Sequence, residues 1–254
     1  MCLKIGLDSY DNFFKQAGFF IDFYATAVAL YRSSRKAVEA WTLKLNEISL
    51  VLRMEKLGFD FYNRPDVLKI ARELLGKILI TNFDGRITSG RIVETEAYAG
   101  IRDRASHAYG GRRTPRTSIM YENGGTAYVY FCYGIHHLFN VVTDKKEIPH
   151  AVLIRALEPI DGIDIMLART NKKILDNTLT RGPGNVSKAL GIVTSHTGIS
   201  LLGDEIFIAK DDYSLKKKDI VISPRIGVDY AGEDAKLPYR FSIKNNPYVS
   251  RKRN

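Results

Sequence analysis

A chain of 254 residues that is 45% hydrophobic, with 20 Gly and 8 Pro, has the length of one large domain or two modest ones and the composition of a packed globule. Disordered, collagenous and low-complexity architectures are excluded on those grounds. Its 38 Lys and Arg exceed 28 Asp and Glu by ten, and a formal charge of +10 suits polyanionic partners, nucleic acid before acidic membranes, without requiring one.

Residues 1–53 hold no Pro and only Gly6 and Gly18, and from Ala25 onward their composition suits helices, so they read as a helical N-terminal extension ahead of a domain at 54–254. The apolar stretch 19–31 is interrupted by Asp22 and falls short of the ~20 residues that span a bilayer. Lys4 and Lys15 are balanced by Asp8 and Asp11, unlike the basic start of a secretory signal. Cys2 and Cys132 alone cannot build the disulfide framework of a small secreted fold. A soluble intracellular protein with no membrane partner is expected.

Past this extension the punctuation sharpens. Asn63 as cap, Pro65 in the first turn and Val67, Leu68, Ile70, Ala71, Leu74 and Leu75 at helical spacing predict a helix that stops before Gly76. Branched and aromatic runs then predict strands at 77–83, 90–98, 126–133, 138–143 and 151–157. Little room remains between most of them for a crossover helix, which favours antiparallel pairing in a mixed architecture. Helical stretches at 162–168 and 185–190 precede a strand-like remainder that ends in the basic tail Arg251, Lys252 and Arg253.

Strand alternation in RIVETEAY, 91–98, puts Glu94, Glu96 and Tyr98 on one face and Val93, Thr95 and Ala97 on the other. Carboxylates so placed, ~7 Å apart, suit water activation at a glycosidic carbon, and equally a solvent-facing acidic stripe. Arg112, Arg113 and Arg116, in a Gly- and Pro-containing loop after His107, suit phosphate contacts or plain solvation. In 125–142 two aromatic strands flank a turn near Gly134 and leave Tyr133 at its tip. Such a ring in a basic protein is a candidate wedge between base steps. Tyr128 and Tyr130 share one strand face and suit a pocket, whereas Val129, Phe131, Phe139 and Val141 read as core. His136 and His137 are adjacent and face opposite ways, and Cys132 has no Cys partner nearby, so no metal site is expected.

Taken together, RIVETEAY, the spaced His107, GRRTPR, AYVYFCYG, HLFNVV, VLIRALEP, RGPGNVSKALGI and PRIGVDYAGEDAKLPYRF, in that order over about 63–250, resemble the alkyladenine type of 3-methyladenine DNA glycosylase. No part of the resemblance covers residues 1–53. It implies an α+β single domain with a curved, mostly antiparallel sheet core and surrounding helices. The activity implied is hydrolysis of the N-glycosidic bond of alkylated or deaminated purines in double-stranded DNA by a monofunctional, metal-free and cofactor-free monomer. The cytoplasm and nucleoid of a bacterium, or the nucleus of a eukaryote, would be its location.

By position, Glu96 resembles the general base acting on water and Arg155 a second group fixing that water. Tyr98, His107 and Tyr130 correspond to walls holding the flipped base, Asn140 to a residue discriminating against the amino group of guanine, and Tyr133 to the intercalating wedge. Glu94 is left a supporting role, because a cationic 3-methyladenine leaves without a catalytic acid. Thr117, Asn185 and Tyr239 depart from the family pattern of Asn, Lys and Trp. Two other readings of the same residues stand beside this one. Glu94 and Glu96 can form a two-carboxylate glycoside hydrolase pair, or Tyr133 and the basic loops can serve a non-enzymatic DNA-binding module.

Overall fold

The computed structural model describes residues 54–250; the helical reading of 1–53, the apolar stretch 19–31 and the basic tail at 251–253 lie outside them. Short β1 (Glu55–Lys56) and α1 (Phe59–Tyr62) lead into α2 (Val67–Leu74), followed by β2 (Ile78–Phe83), β3 (Arg86–Ala99), β4 (Ala127–Cys132), β5 (His136–Thr143) and β6 (His150–Asp161). Two helices come next, α3 (Ile163–Thr170) and α4 (Pro183–Leu190), then β7 (Ile206–Lys210), β8 (Ile220–Ser223) and β9 (Arg240–Ile243). The strands form one sheet in the order β1-β7-β2-β3-β6-β5-β4, with β9 on β3 and β8 on β9, and the pairings are antiparallel. This is the mixed α+β architecture expected from the short gaps between strands.

The helix α2 begins later than the sequence signals predict. Asp66, not Asn63, is its cap, because the Asp66 carboxylate accepts the Lys69 N–H at 2.9 Å. Asn63 instead closes α1. Burial of Val67, Ile70 and Leu74 against the sheet contributes ~1.5–3 kcal/mol for each side chain. At the start of α3, Gly162 has φ +68° and a Cβ there would lie 2.3 Å from the Ile87 carbonyl oxygen, so glycine is required both by conformation and by space.

Side-chain parity divides the sheet into a packing face and an open face. Thr95 and Ala97 of β3, Ala127 and Val129 of β4, Phe139 and Val141 of β5 and Val152 and Ile154 of β6 are buried, and Thr95 Oγ1 donates to the Ala71 carbonyl of α2 at 2.8 Å. The residues between them, Glu94, Glu96 and Tyr98, Tyr128 and Tyr130, Leu138 and Asn140, and Leu153 and Arg155, fall on the other face. Their register aligns them across the strands: Glu96 opposite Leu153, Leu153 opposite Asn140, and Asn140 opposite Tyr128.

Three register shifts interrupt the β3–β6 ladder, two of them beside the carboxylates. Ile92 pairs with Leu157 and Glu94 with Ala156, which skips Val93; Thr95 pairs with Ile154, which skips Arg155. Bulges re-aim side chains, and Arg155 emerges beside both carboxylates.

Candidate active site

The open face carries a cavity of about 720 Å³ whose wall includes Tyr98, His107, Tyr130, Asn140, Arg155 and Tyr133. Glu96 stands directly behind that wall. Its Oε2 accepts from the Tyr98 hydroxyl at 2.9 Å, and its Oε1 accepts from the Ile226 N–H at 2.8 Å and lies 3.2 Å from Arg155 Nη1. Glu96 has no exposed surface, and the side chains that touch it, Tyr98 and Arg155, both line the cavity. Burial, and secondarily the Glu96 charge, raise the Tyr98 pKa, which keeps its hydroxyl a donor to the carboxylate. Burial opposes the Arg155 cation, but Glu96 and Glu94 outweigh it and hold its pKa above the ordinary value.

Glu94 is committed elsewhere. Oε1 accepts from Arg155 Nε at 3.2 Å and Arg240 Nη1 at 2.9 Å, and Oε2 accepts from the Ser250 N–H at 2.8 Å and from the Ser250 hydroxyl. Both acids are fully buried, which overturns the solvent-facing stripe. Four donors on two oxygens saturate the Glu94 carboxylate.

Elsewhere in the cavity wall His107 Nδ1 and the Tyr128 hydroxyl share a 2.8 Å hydrogen bond, and the His107 ring meets Tyr130 edge-on at 4.7 Å. Burial first, then Arg116 and Arg112, lower the His107 pKa to about 4, so its imidazole is neutral at physiological pH. Asn140 Nδ2 donates to the Tyr128 and Leu138 carbonyls at 3.1 and 3.2 Å, which fixes the side chain as a rigid part of the wall.

The tip of the β4–β5 hairpin stands at the rim. Tyr133 is 86% exposed with φ +52°, and Gly134 follows at φ +71°. A Tyr in that region costs ~1–3 kcal/mol, strain of the kind that gathers at functional sites. Phe131, read as core from sequence, is 48% exposed. The reason is topological: β5 pairs with β6 only from Asn140 to Thr143, so the outer half of the hairpin overhangs the sheet.

The arginines of 112–116 separate by role. Arg113 is engaged by Glu147 at 2.7 Å and stacked on Tyr121, Arg112 is exposed, and Arg116 turns over the Tyr130 ring, 4.8 Å from its centroid. Thr117 is buried and donates to the Arg112 carbonyl at 3.1 Å, bracing this loop, while Asn185 Nδ2 donates to the Thr178 and Arg181 carbonyls at the start of α4. Among the described residues, no three His, Cys, Asp or Glu side chains converge as a metal site requires.

Residues 60–247 match the family model of methylpurine-DNA glycosylase. The chain belongs to that family. A protein of Desulfitobacterium hafniense (strain Y51) named "Putative 3-methyladenine DNA glycosylase" is 46% identical over 204 residues, 78% of this chain and 99% of the relative. Proteins of the same name from Clostridium perfringens (strain SM101 / Type A) and Chlamydia abortus (strain DSM 27085 / S26/3) are 45% and 49% identical over 205 and 191 residues, which is 78% and 73% of this chain and 100% and 98% of theirs.

For a methylpurine-DNA glycosylase family member, the seven site residues expected from the sequence converge: six line the cavity and Glu96 lies one hydrogen bond behind it. Residues to which sequence reasoning gave no role also belong. Ile226 grips Glu96, Gly227, Val228 and Tyr230 close one side of the cavity, and Arg240 and Ser250 occupy Glu94. The only available signal for the first group was their position within the motif PRIGVDYAGEDAKLPYRF.

Proposed function

We propose that this protein is a DNA-3-methyladenine glycosylase, a hydrolase of DNA repair that acts as a monomer on alkylated or deaminated purines in double-stranded DNA, inside the cell. The observation that carries the reading is the convergence of Glu96, Arg155 and the aromatic residues Tyr98, His107 and Tyr130 around one cavity, with Tyr133 exposed at its rim. Rotating the base out of the duplex costs a few kcal/mol, less for a damaged base. Tyr133 fills the gap in the stack while the flipped base lies among Tyr98, His107 and Tyr130.

Glu96 then takes a proton from a water held with Arg155, the water oxygen bonds to C1′, and the N-glycosidic electron pair leaves with the base to give an abasic site. A 3-methylated adenine is cationic, so it departs neutral without a catalytic acid, and neutral His107 presents it no like charge. The rigid Asn140 wall excludes the extra amino group of guanine by space. The saturated Glu94 carboxylate favours this single-base mechanism over a two-carboxylate glycoside hydrolase.

The test is single-turnover base release from a duplex carrying one hypoxanthine, and from methylated DNA. Free base is expected from the full chain and from a chain beginning at Met54, with Glu96→Gln slowing release by at least ~100-fold. DNA binding without base release from either substrate would put the binding-module reading ahead.

A further inference from the structure

Behind the cavity wall lies an ion pair that none of the site chemistry above uses. Asp103 follows the end of β3, where Oδ2 accepts the Ala99 N–H and Oδ1 the Ala105 N–H, both at 3.0 Å. Arg225 meets it with both terminal nitrogens, at 2.5 Å to Oδ2 and 2.8 Å to Oδ1, and donates further to the Ala97 and Asp234 carbonyls at 3.0 and 3.1 Å. The guanidinium also lies over the Tyr98 and Tyr239 rings, 4.9 and 5.2 Å from their centroids. Both side chains are almost wholly enclosed, at 0% and 2% exposure.

The two residues next to Glu96 on its C-terminal side, Ala97 and Tyr98, are therefore both in contact with Arg225. So is Glu96 itself through the chain, because the next residue, Ile226, supplies the N–H on Oε1. Gly227 and Val228 continue directly into the cavity wall.

Resting on the glycosylase reading, we propose that Asp103 and Arg225 are a positioning pair. They lock 225–228 against β3, so that the Ile226 N–H orients the Glu96 carboxylate and the guanidinium backs the Tyr98 ring. A buried ion pair contributes little net stability compared with apolar residues of the same volume, but a planar fork held by one carboxylate and two carbonyls fixes direction as apolar packing does not. The pair is neutral overall and adds no net charge to the cavity. Tyr239 supplies the second ring under the same cation.

Arg225→Ala leaves a lone buried Asp103 and risks the fold, so the decisive variant replaces both charges, Asp103→Asn with Arg225→Gln, alongside Arg225→Lys. Three quantities are read: single-turnover release of hypoxanthine, affinity for a duplex carrying a tetrahydrofuran abasic analogue, and thermal midpoint. A positioning role predicts about a 100-fold slower release in the double variant, the scale of a 1 Å misplacement, with analogue affinity kept within about threefold and Arg225→Lys falling between wild type and double variant. Release at the wild-type rate, or release and affinity falling in parallel, overturns the pair's role. Wild type that releases no base while binding the analogue overturns instead the glycosylase reading on which it rests.

Discussion

His107 shows how one side chain's surroundings set a pH response. Its pKa in the folded chain, about 4, lies below the ordinary 6.5. Between those values the unfolded chain binds more protons, so this residue's contribution to stability is complete above about pH 6.5 and is lost as pH falls toward 4. Urea midpoints for wild type and His107→Gln, measured near neutrality and near pH 5, should show a smaller acid loss in the variant. Equal losses would remove His107 from the account. Burial also lowers the pKa of His150 and His196, so part of the acid sensitivity persists in the variant. Glu94 and Glu96 make the complementary case. The same residue type, two positions apart, meets different surroundings: four donors saturate the Glu94 carboxylate, while among the described residues Glu96 Oε2 has one donor, Tyr98.

At the scale of elements, the hairpin β4–β5 and the bulged ladder β3–β6 do the positioning. Because Tyr133 is 86% exposed and touches little of the core, Tyr133→Ala should leave stability within ~0.5 kcal/mol of wild type. Single-turnover excision should nevertheless slow by about tenfold or more, since the empty stack is left unfilled. Unchanged excision with normal binding of a lesion analogue would remove the wedge role. Alternation in RIVETEAY was readable from the sequence because a strand's period of two is local. The bulges at Val93 and Arg155 were not, because a skipped residue is defined only by what the neighbouring strand pairs with. The overhang that exposes Phe131 is equally invisible in its own apolar surroundings, as is the preference for Asp66 over Asn63 as a cap, which depends on where the Lys69 N–H falls.

For the whole molecule, the formal charge of +10 becomes a measurable property. If Arg112 and other exposed cations meet phosphates, log affinity for duplex DNA should fall with log salt at a slope of about −0.9 per contact. A flat response in a salt titration would oppose a DNA partner. Arg113 should contribute least to this slope among the three loop arginines, since Glu147 already neutralises it. Among the described residues no helix is long and apolar enough to cross a membrane.

By itself the sequence determined the mixed architecture, the shared face of Glu94, Glu96 and Tyr98, the hairpin tip at Tyr133 and the ordered motifs that mark the family. These features are written in local periodicity, turn residues and motif order. The tertiary structure alone decided that both acids are buried, that Ile226 donates to Glu96 across 130 positions and Ser250 to Glu94 across 156, and that Asp103 meets Arg225 across 122. A carboxylate's role depends on its donors and on its access to water. Both are set by chain segments that folding alone brings to it.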